Sequence, residues 1–282
     1  DGLLKLFGKQ RVIDTPLAES AIVGTSIGMA IKGLKPVAEI QFSGFIYPAF
    51  DQLISHASRF RTRTRGQRTC PLVVRAPYSG GIRALEHHSE SMEAIFMHMP
   101  GMKMVIPSGP YDAKGLLTSA IRDPDPVIFY EPKRMYRAIK EEVPEGDYTV
   151  PLGKAKVVKE GVDMTIIAWG AMVREAQKGA ALMPDVDVEL IDLRSISPMD
   201  TDTIIKSVKK TGRCVIVHEA PKTGGVAAEI IARINEKALL SLQAPVERVT
   251  GYDTIFPLYR LEKEYLPSPE KIKQAMEKII NF

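Results

Sequence analysis

One carboxylate near the start of the chain has the type and position of an acid–base group. Glu19 lies in the stretch Arg11–Gly33, whose sequence is RVIDTPLAESAIVGTSIGMAIKG. We expect a short strand over Arg11–Ile13, a turn that Pro16 fixes, and then a helix with Glu19 in its first turn. The helix dipole stabilises a carboxylate in that position. On spacing alone, Glu19 is therefore either a dipole partner or a functional acid–base group.

Two adjacent histidines form a second group with chemical potential. His87 and His88 lie in the loop APYSGGIRALEHHSES. Histidine titrates near neutral pH, so such a ring can donate or accept a proton during catalysis. No further ligand occurs at metal-like spacing, which excludes a zinc site. The Gly-Gly pair lacks the following Lys-Ser/Thr of a phosphate-binding loop. The remaining histidines, including His218, are expected to be structural.

Apolar segments predict the elements that must position these groups. In the first half, we expect strands over Val37–Phe42, Pro71–Arg75, Lys103–Ile106 and Val127–Tyr130. Helices should begin near Pro48, Ser91 and Tyr111. The polar stretch Arg137–Tyr148 predicts a linker, so we place two domains at residues 1–145 and 146–282.

The second half alternates strands and helices in a regular way. We expect its strands over Met164–Trp169, Val186–Leu193, Arg213–His218 and Val246–Thr250. Its helices should span Val173–Met183, Asp200–Lys210 and Val226–Glu236, with a final helix from Pro269. Short apolar strands between amphipathic helices are typical of an α/β domain with a parallel sheet covered on both faces.

The motif DTPLAES resembles the Asp-Thr-Pro-hydrophobic-x-Glu motif of the beta subunits of thiamin-diphosphate-dependent 2-oxo acid dehydrogenases. The similarity extends through essentially the whole chain. It implies a thiamin-diphosphate-binding fold of the pyrimidine type, followed by an α/β domain like the transketolase C-terminal domain. It also implies that a segment of some tens of residues is missing before DGLLKLFGKQ.

The resemblance assigns roles to particular residues. Glu19 would hydrogen-bond the aminopyrimidine of thiamin diphosphate and activate the cofactor by acid–base chemistry. Leu17, Gln41 and Phe45 would line the pocket around that ring. His88 would face the substrate and assist transfer of the acyl group to lipoamide. The carbonyl of Leu72 and the turn Ala120–Asp125 are similar to a potassium site of some relatives. That similarity implies candidate potassium ligands at Leu72, Ala120, Asp123 and Asp125, although a plain helix-terminating turn explains these residues equally well.

The motif that binds the cofactor's phosphates is missing from the chain. Thiamin enzymes hold Mg²⁺ and the diphosphate through a Gly-Asp-Gly motif, whereas Gly146-Asp147 continues here into Tyr148. The resemblance therefore implies a separate alpha subunit, which supplies the Mg²⁺ ligands in an assembly of two alpha and two beta chains. The C-terminal domain would serve beta–beta dimerisation and docking to the subunit-binding domain of a dihydrolipoyl acyltransferase.

The identity of the 2-oxo acid is less directly encoded. The segments EPKRMYRA, IIAWG, HEAPKTGG and GYDTIFP are more similar to branched-chain enzymes than to pyruvate or acetoin enzymes. We therefore expect a branched-chain 2-oxo acid dehydrogenase, with pyruvate or acetoin dehydrogenase as the alternative. A non-catalytic docking or scaffold subunit is the alternative from another class.

Composition limits the other classes of function. The 282 residues carry a net charge of +4 and are 45% hydrophobic, which suits a two-domain globular protein. No apolar run is long enough for a membrane span, and no signal peptide is visible. The arginines between Arg59 and Arg68 lack a nucleic-acid-binding motif and favour a subunit interface. Two isolated cysteines, Cys70 and Cys214, predict free thiols and a cytoplasmic location.

Overall fold

Strands form two five-stranded sheets in the computed structural model, which describes residues 2–282. The strands are β1 Val37–Glu39, β2 Val73–Tyr78, β3 Lys103–Val105, β4 Val127–Pro132, β5 Lys156–Lys159, β6 Met164–Ala168, β7 Val188–Asp192, β8 Ser195–Ser197, β9 Cys214–Pro221 and β10 Glu247–Gly251. The α-helices are α1 Leu3–Phe7, α2 Glu19–Ile31, α3 Phe60–Arg63, α4 Glu93–Met97, α5 Pro110–Arg122, α6 Ala171–Ala181, α7 Thr201–Thr211, α8 Val226–Ala238, α9 Glu262–Tyr265 and α10 Pro269–Ile280. Short 3₁₀ segments include Ser43–Phe45, Tyr47–Ala49 and Glu86–His88, and a π-helical turn spans Gln52–Ala57.

The first sheet has the strand order β1-β2-β4-β3-β8. Strands β1 to β4 pair in parallel, whereas β8 pairs with β3 in the antiparallel direction. Strand β8 comes from the second half of the sequence, so the first sheet is completed by a segment from beyond the expected linker. Its buried strands, such as VVRAPY in β2, are nearly continuous apolar runs, as expected for a sheet covered on both faces.

The second sheet has the order β10-β9-β6-β7-β5. Four of its strands are parallel, and β5 lies antiparallel at the edge. Alternate strand residues belong to different core clusters, which shows that helices cover both faces. Ile166 and Val215 pack with α6 and α10, while Ile167 and Ile216 share a core with α7 and α8. The α/β fold class is therefore as expected, but each sheet is mixed rather than purely parallel.

One apolar core connects the two halves. Its buried members run from Val23 and Leu53 through Phe96 to Trp169, Ile204 and Val226. Arg194, which precedes β8, also forms a bidentate ion pair with Asp112 of α5, at 2.6 and 3.0 Å. Division of the chain at residue 145 stays a prediction, since these contacts cross that point.

Some boundaries differ from the sequence expectations. The expected strand at Arg11–Ile13 is wrong, because these residues form a turn followed by irregular chain. A strand needs a hydrogen-bonded neighbour, and no strand within residues 2–282 pairs with Arg11–Ile13. Strand β1 also ends at Glu39 instead of Phe42, because the chain turns there into the 3₁₀ segments.

None of the helices within residues 2–282 combines the length and the apolar character needed to cross a membrane.

Candidate functional site

Two loops meet at the carboxyl edge of the first sheet. Strands β1 and β2 are parallel, so residues after Glu39 and after Tyr78 emerge at the same edge, where α/β folds commonly bind ligands. The loops touch at Gly44: a Cβ placed there would lie 2.2 Å from the His87 carbonyl oxygen. Only glycine allows this approach, and it brings the backbone around Phe45 against the two histidines.

Aromatic rings surround the second histidine. The His88 ring centroid lies 4.5 Å from that of Phe42 and 5.3 Å from that of Phe45, both in edge-to-face arrangements. Nδ1 of His88 is buried and has no hydrogen-bond partner among the described residues. Buried polar atoms are normally satisfied, so this nitrogen marks a place where a ligand could bind. The structure therefore brings together Phe45, which the resemblance assigns to the aminopyrimidine pocket, and His88, which it assigns to the substrate side.

Hydrogen bonds fasten the histidine loop to the loop after β1. The Ser43 hydroxyl donates to the Glu90 carbonyl oxygen at 3.2 Å. The Tyr47 hydroxyl donates to the Glu90 carboxylate at 2.7 Å. Burial and this carboxylate both raise the pKa of Tyr47, which therefore stays protonated as a donor.

Glu19 begins helix α2, as the sequence predicts, and it is half-buried. The chain reverses at Gly33 between α2 and β1, so the start of α2 lies toward the carboxyl edge of the sheet. The Ser20 hydroxyl donates to the carbonyl oxygen of Pro48, which ties the start of the helix to the loop after β1. Glu19 thus enters the same edge region that holds Phe45 and His88.

The two other predicted pocket residues lie on the surface. Leu17 is 79% exposed in the segment before α2, and Gln41 is exposed just after β1. The preceding residue, Ile40, donates its N–H to the carbonyl oxygen of Arg75 and so extends the sheet pairing up to Gln41. A site with exposed Leu17 and Gln41 is open on one side.

These residues fit the pyrimidine end of thiamin diphosphate. A carboxylate, an amide, an apolar side chain and an aromatic ring suit a planar heterocycle with several hydrogen-bonding nitrogens. The unpartnered Nδ1 of His88 is an additional polar contact available to a ligand. Within residues 2–282, no group of three or more His, Cys, Asp or Glu side chains is arranged to hold a metal ion.

The four candidate potassium ligands lie close together. The Leu72 carbonyl oxygen accepts from the Val127 N–H at 2.9 Å, and the Ala120 carbonyl oxygen accepts from the Asp123 N–H at 3.3 Å. The carboxylates of Asp123 and Asp125 already have cationic partners. Lys103 binds Asp123 at 2.7 Å, and Arg61 binds Asp125 at 2.8 Å. Potassium binding at this turn stays a prediction.

Behind the histidine loop lies a buried polar group that sequence reasoning missed. Trp169 Nε1 donates to the Glu93 carboxylate at 3.1 Å, and the His218 ring stacks on Trp169 with centroids 5.4 Å apart. Burial raises the pKa of Glu93 to about 7 and lowers the pKa of His218 to about 4. Both shifts favour the uncharged forms, which is the expected consequence of desolvation. A structural role for His218 stays a prediction, since neither of its ring nitrogens has a hydrogen-bond partner in the described part of the chain.

Comparison with known proteins identifies two matching domain families. Residues 1–139 match the family described as "Transketolase, pyrimidine binding domain". Residues 153–272 match the family described as "Transketolase, C-terminal domain". A solved structure titled "Split gene transketolase, inactive beta4 tetramer" superposes with a TM-score of 0.77 over 94% of this chain and 82% of its own, at 22% identity. That likeness shows the fold.

Curated relatives are similar over the whole chain. A pyruvate dehydrogenase E1 component subunit beta from Acholeplasma laidlawii is 58% identical over 280 residues, which are 99% of this chain and 86% of the relative. The corresponding subunit from Bacillus subtilis is 49% identical over 100% of this chain and 87% of its own. The mitochondrial 2-oxoisovalerate dehydrogenase subunit beta from Dictyostelium discoideum is 52% identical over 100% of this chain and 77% of its own.

Proposed function

The chain belongs to the E1 beta subunits of 2-oxo acid dehydrogenases, a thiamin-diphosphate-dependent family of oxidoreductases, and we propose that its carboxyl-edge site binds the pyrimidine half of that cofactor. The observation that carries the proposal is the packing of Phe45 against His88, whose buried Nδ1 lacks a partner among residues 2–282. Helix α2 brings the Glu19 carboxylate to the same edge.

Each pocket residue has a distinct task in this proposal. Thiamin diphosphate, when bound, supplies the nucleophilic carbon and the electron sink that decarboxylation of a 2-oxo acid requires. Glu19 holds a proton against a pyrimidine nitrogen, which is the acid–base role expected from the motif. Phe45 provides an aromatic face for the ring, while Leu17 and Gln41 border its edge.

His88 acts on the substrate side of the pocket. Its ring is held edge-on by Phe42 and Phe45, so its orientation is defined before any ligand binds. A histidine in this position can donate a proton while the acyl group passes to lipoamide. Rigid placement favours such a transfer, because errors of about 1 Å can cost about 100-fold in rate.

The cofactor's phosphates require a partner chain. The sequence contains no Gly-Asp-Gly motif, so we propose that Mg²⁺ and the diphosphate are held mainly by an alpha subunit. The names of the relatives support a beta subunit that works with such a partner. We propose two alpha and two beta chains, with the C-terminal domain at the beta–beta contact and at the dihydrolipoyl acyltransferase. A cytoplasmic location remains part of the proposal, and it is supported by free, buried Cys70 and Cys214.

Two 2-oxo acids are candidate substrates. Pyruvate is favoured by the relatives at 58% and 49% identity. A branched-chain acid is favoured by the relative at 52% identity and by segments such as EPKRMYRA. These identities overlap, so overall similarity does not separate the two substrates.

Reconstitution with the alpha subunit tests the proposal directly. The two chains are co-expressed, supplied with thiamin diphosphate and Mg²⁺, and assayed for decarboxylation of pyruvate and 3-methyl-2-oxobutanoate with an artificial electron acceptor. We expect activity that needs both chains and is lost in Glu19→Gln but kept in Glu142→Gln, an exposed control. Cofactor binding without turnover of either acid would indicate that the substrate is another 2-oxo acid or acetoin. Failure to bind the cofactor would favour the scaffold alternative.

A further inference from the structure

The loop that carries His88 is anchored by two carboxylates from the other half of the chain. Glu262 lies at the start of α9, and its Oε1 accepts hydrogen bonds from three consecutive backbone N–H groups, those of Gly81, Ile82 and Arg83, at 2.7, 3.1 and 3.3 Å. Glu262 is only 5% exposed. A buried carboxylate that gathers several N–H donors makes strong, charge-assisted hydrogen bonds.

The second carboxylate, Glu219 of β9, holds Ser79 and Gly80, the two residues just before Gly81. It accepts from the Ser79 hydroxyl at 2.8 Å and from the Gly80 N–H at 2.9 Å. Arg134 pairs with Glu219 at 3.2 Å and so neutralises its charge. Every residue from Ser79 to Arg83 thus donates to one of the two carboxylates.

The loop backbone needs these anchors. Ser79 and Arg83 have φ of 83° and 59°, a left-handed backbone conformation that residues other than glycine rarely adopt. Conformations of this kind persist only where the surroundings over-determine them, and they cluster at functional sites. Apolar packing adds to the constraint, since a Cβ at Gly80 would lie 2.4 Å from the ring of Phe256.

We infer that Glu262 and Glu219 are positioning residues for His88, through which the C-terminal domain sets the geometry of acyl transfer. This inference rests on the proposed function of His88. The anchored segment ends at Arg83, and the 3₁₀ turn Glu86–His88 follows three residues later. At the far end, Glu90 fastens the turn to Ser43 and Tyr47. The histidine is therefore held between two anchors, of which only one lies in the pyrimidine-binding half.

The test compares two reactions of the holoenzyme reconstituted with its alpha subunit. Decarboxylation is measured with an artificial electron acceptor, and acyl transfer is measured by reductive acylation of a lipoyl domain. We expect Glu262→Ala to lower acyl transfer about tenfold or more while decarboxylation changes by less than about threefold. Glu262→Gln keeps an acceptor oxygen in place and should retain most of the transfer rate. Glu264→Ala, an exposed change in the same helix, is the matched control.

Hydrogen exchange and His88→Ala make the outcomes distinguishable. The amides of Gly81, Ile82 and Arg83 should exchange faster in Glu262→Ala and at the wild-type rate in Glu264→Ala. If Glu262→Ala does not assemble, Glu262→Asp withdraws the carboxylate by one methylene and should still lower transfer selectively, by about threefold or more. Equal losses in both reactions, or no loss in either, overturn the inference. If His88→Ala itself shows no selective loss of transfer, the proposed role of His88 fails instead.

Discussion

Substitution of Glu93 by glutamine should change how stability depends on pH. The carboxyl group is fully buried, and desolvation raises its pKa from 4.5 to about 7. A carboxyl whose pKa is raised by folding favours folding while it is protonated and opposes it once it ionises. The contribution of Glu93 to wild-type stability should therefore decline as pH rises from about 4.5 to about 7, and its full cost should be present above pH 7.

The magnitude follows from the shift itself. Moving a pKa from 4.5 to about 7 corresponds to about 3 kcal/mol of unfolding free energy at high pH. In Glu93→Gln the amide oxygen can still accept from Trp169 Nε1, so the existing hydrogen bond is preserved. The variant cannot ionise, and its stability relative to wild type should rise by up to about 3 kcal/mol between pH 5 and pH 8.

Denaturant unfolding at pH 5, 6, 7 and 8 measures this difference. The Trp169 fluorescence reports on the transition, because the chain contains one tryptophan and it donates to Glu93. Glu264→Gln, an exposed change, is the matched control. A constant stability difference between wild type and Glu93→Gln across this range would refute the reasoning, since it would mean that Glu93 does not change its ionisation on folding.

Three further changes test other contacts. Gly44→Ala should lower stability by about 1–3 kcal/mol and weaken cofactor binding, because its Cβ would meet the His87 carbonyl; unchanged thermal stability and cofactor affinity would contradict the close approach. His218→Phe should reduce the loss of stability as pH falls from 6.5 toward 4, because burial lowers the pKa of His218 to about 4 and so opposes its charged form. The same stability difference between wild type and His218→Phe in urea unfolding at pH 6.5 and at pH 4 would contradict this prediction. Arg194→Ala should cost about 3–5 kcal/mol in urea unfolding, because it leaves the Asp112 carboxylate buried without its partner; a loss below about 1 kcal/mol would show that the pair is not needed.

Elements with local signals could be predicted from the sequence. Helix α7 was expected over Asp200–Lys210 and is found over Thr201–Thr211, with Asp200 capping the N–H of Thr203. The capping residue and the apolar period are both encoded within a few positions. Strands β5 and β8 are not predicted from the sequence, because each forms by antiparallel pairing at a sheet edge with a strand that is distant in the sequence.

The candidate site shows the same division between local and long-range information. Glu19, Phe45 and His88 are predicted because the chain resembles a known family, most directly in the motif DTPLAES around Glu19. Glu219 and Glu262 gave no such signal, since they lie 140 and 181 residues from the loop residues they contact. A lone glutamate in an apolar strand or a short helix has no local pattern that identifies its partner.

These long-range contacts change what the second half of the chain does. The family resemblance implies that this half serves dimerisation and docking. The structure places its carboxylates on the loop of His88, its strand β8 in the first sheet, and Arg194 against Asp112. Helix α2, which begins with Glu19, packs instead mainly on the segments after β1. If His88 assists acyl transfer as proposed, these contacts tie that step to the half of the chain that we propose docks the acyl acceptor.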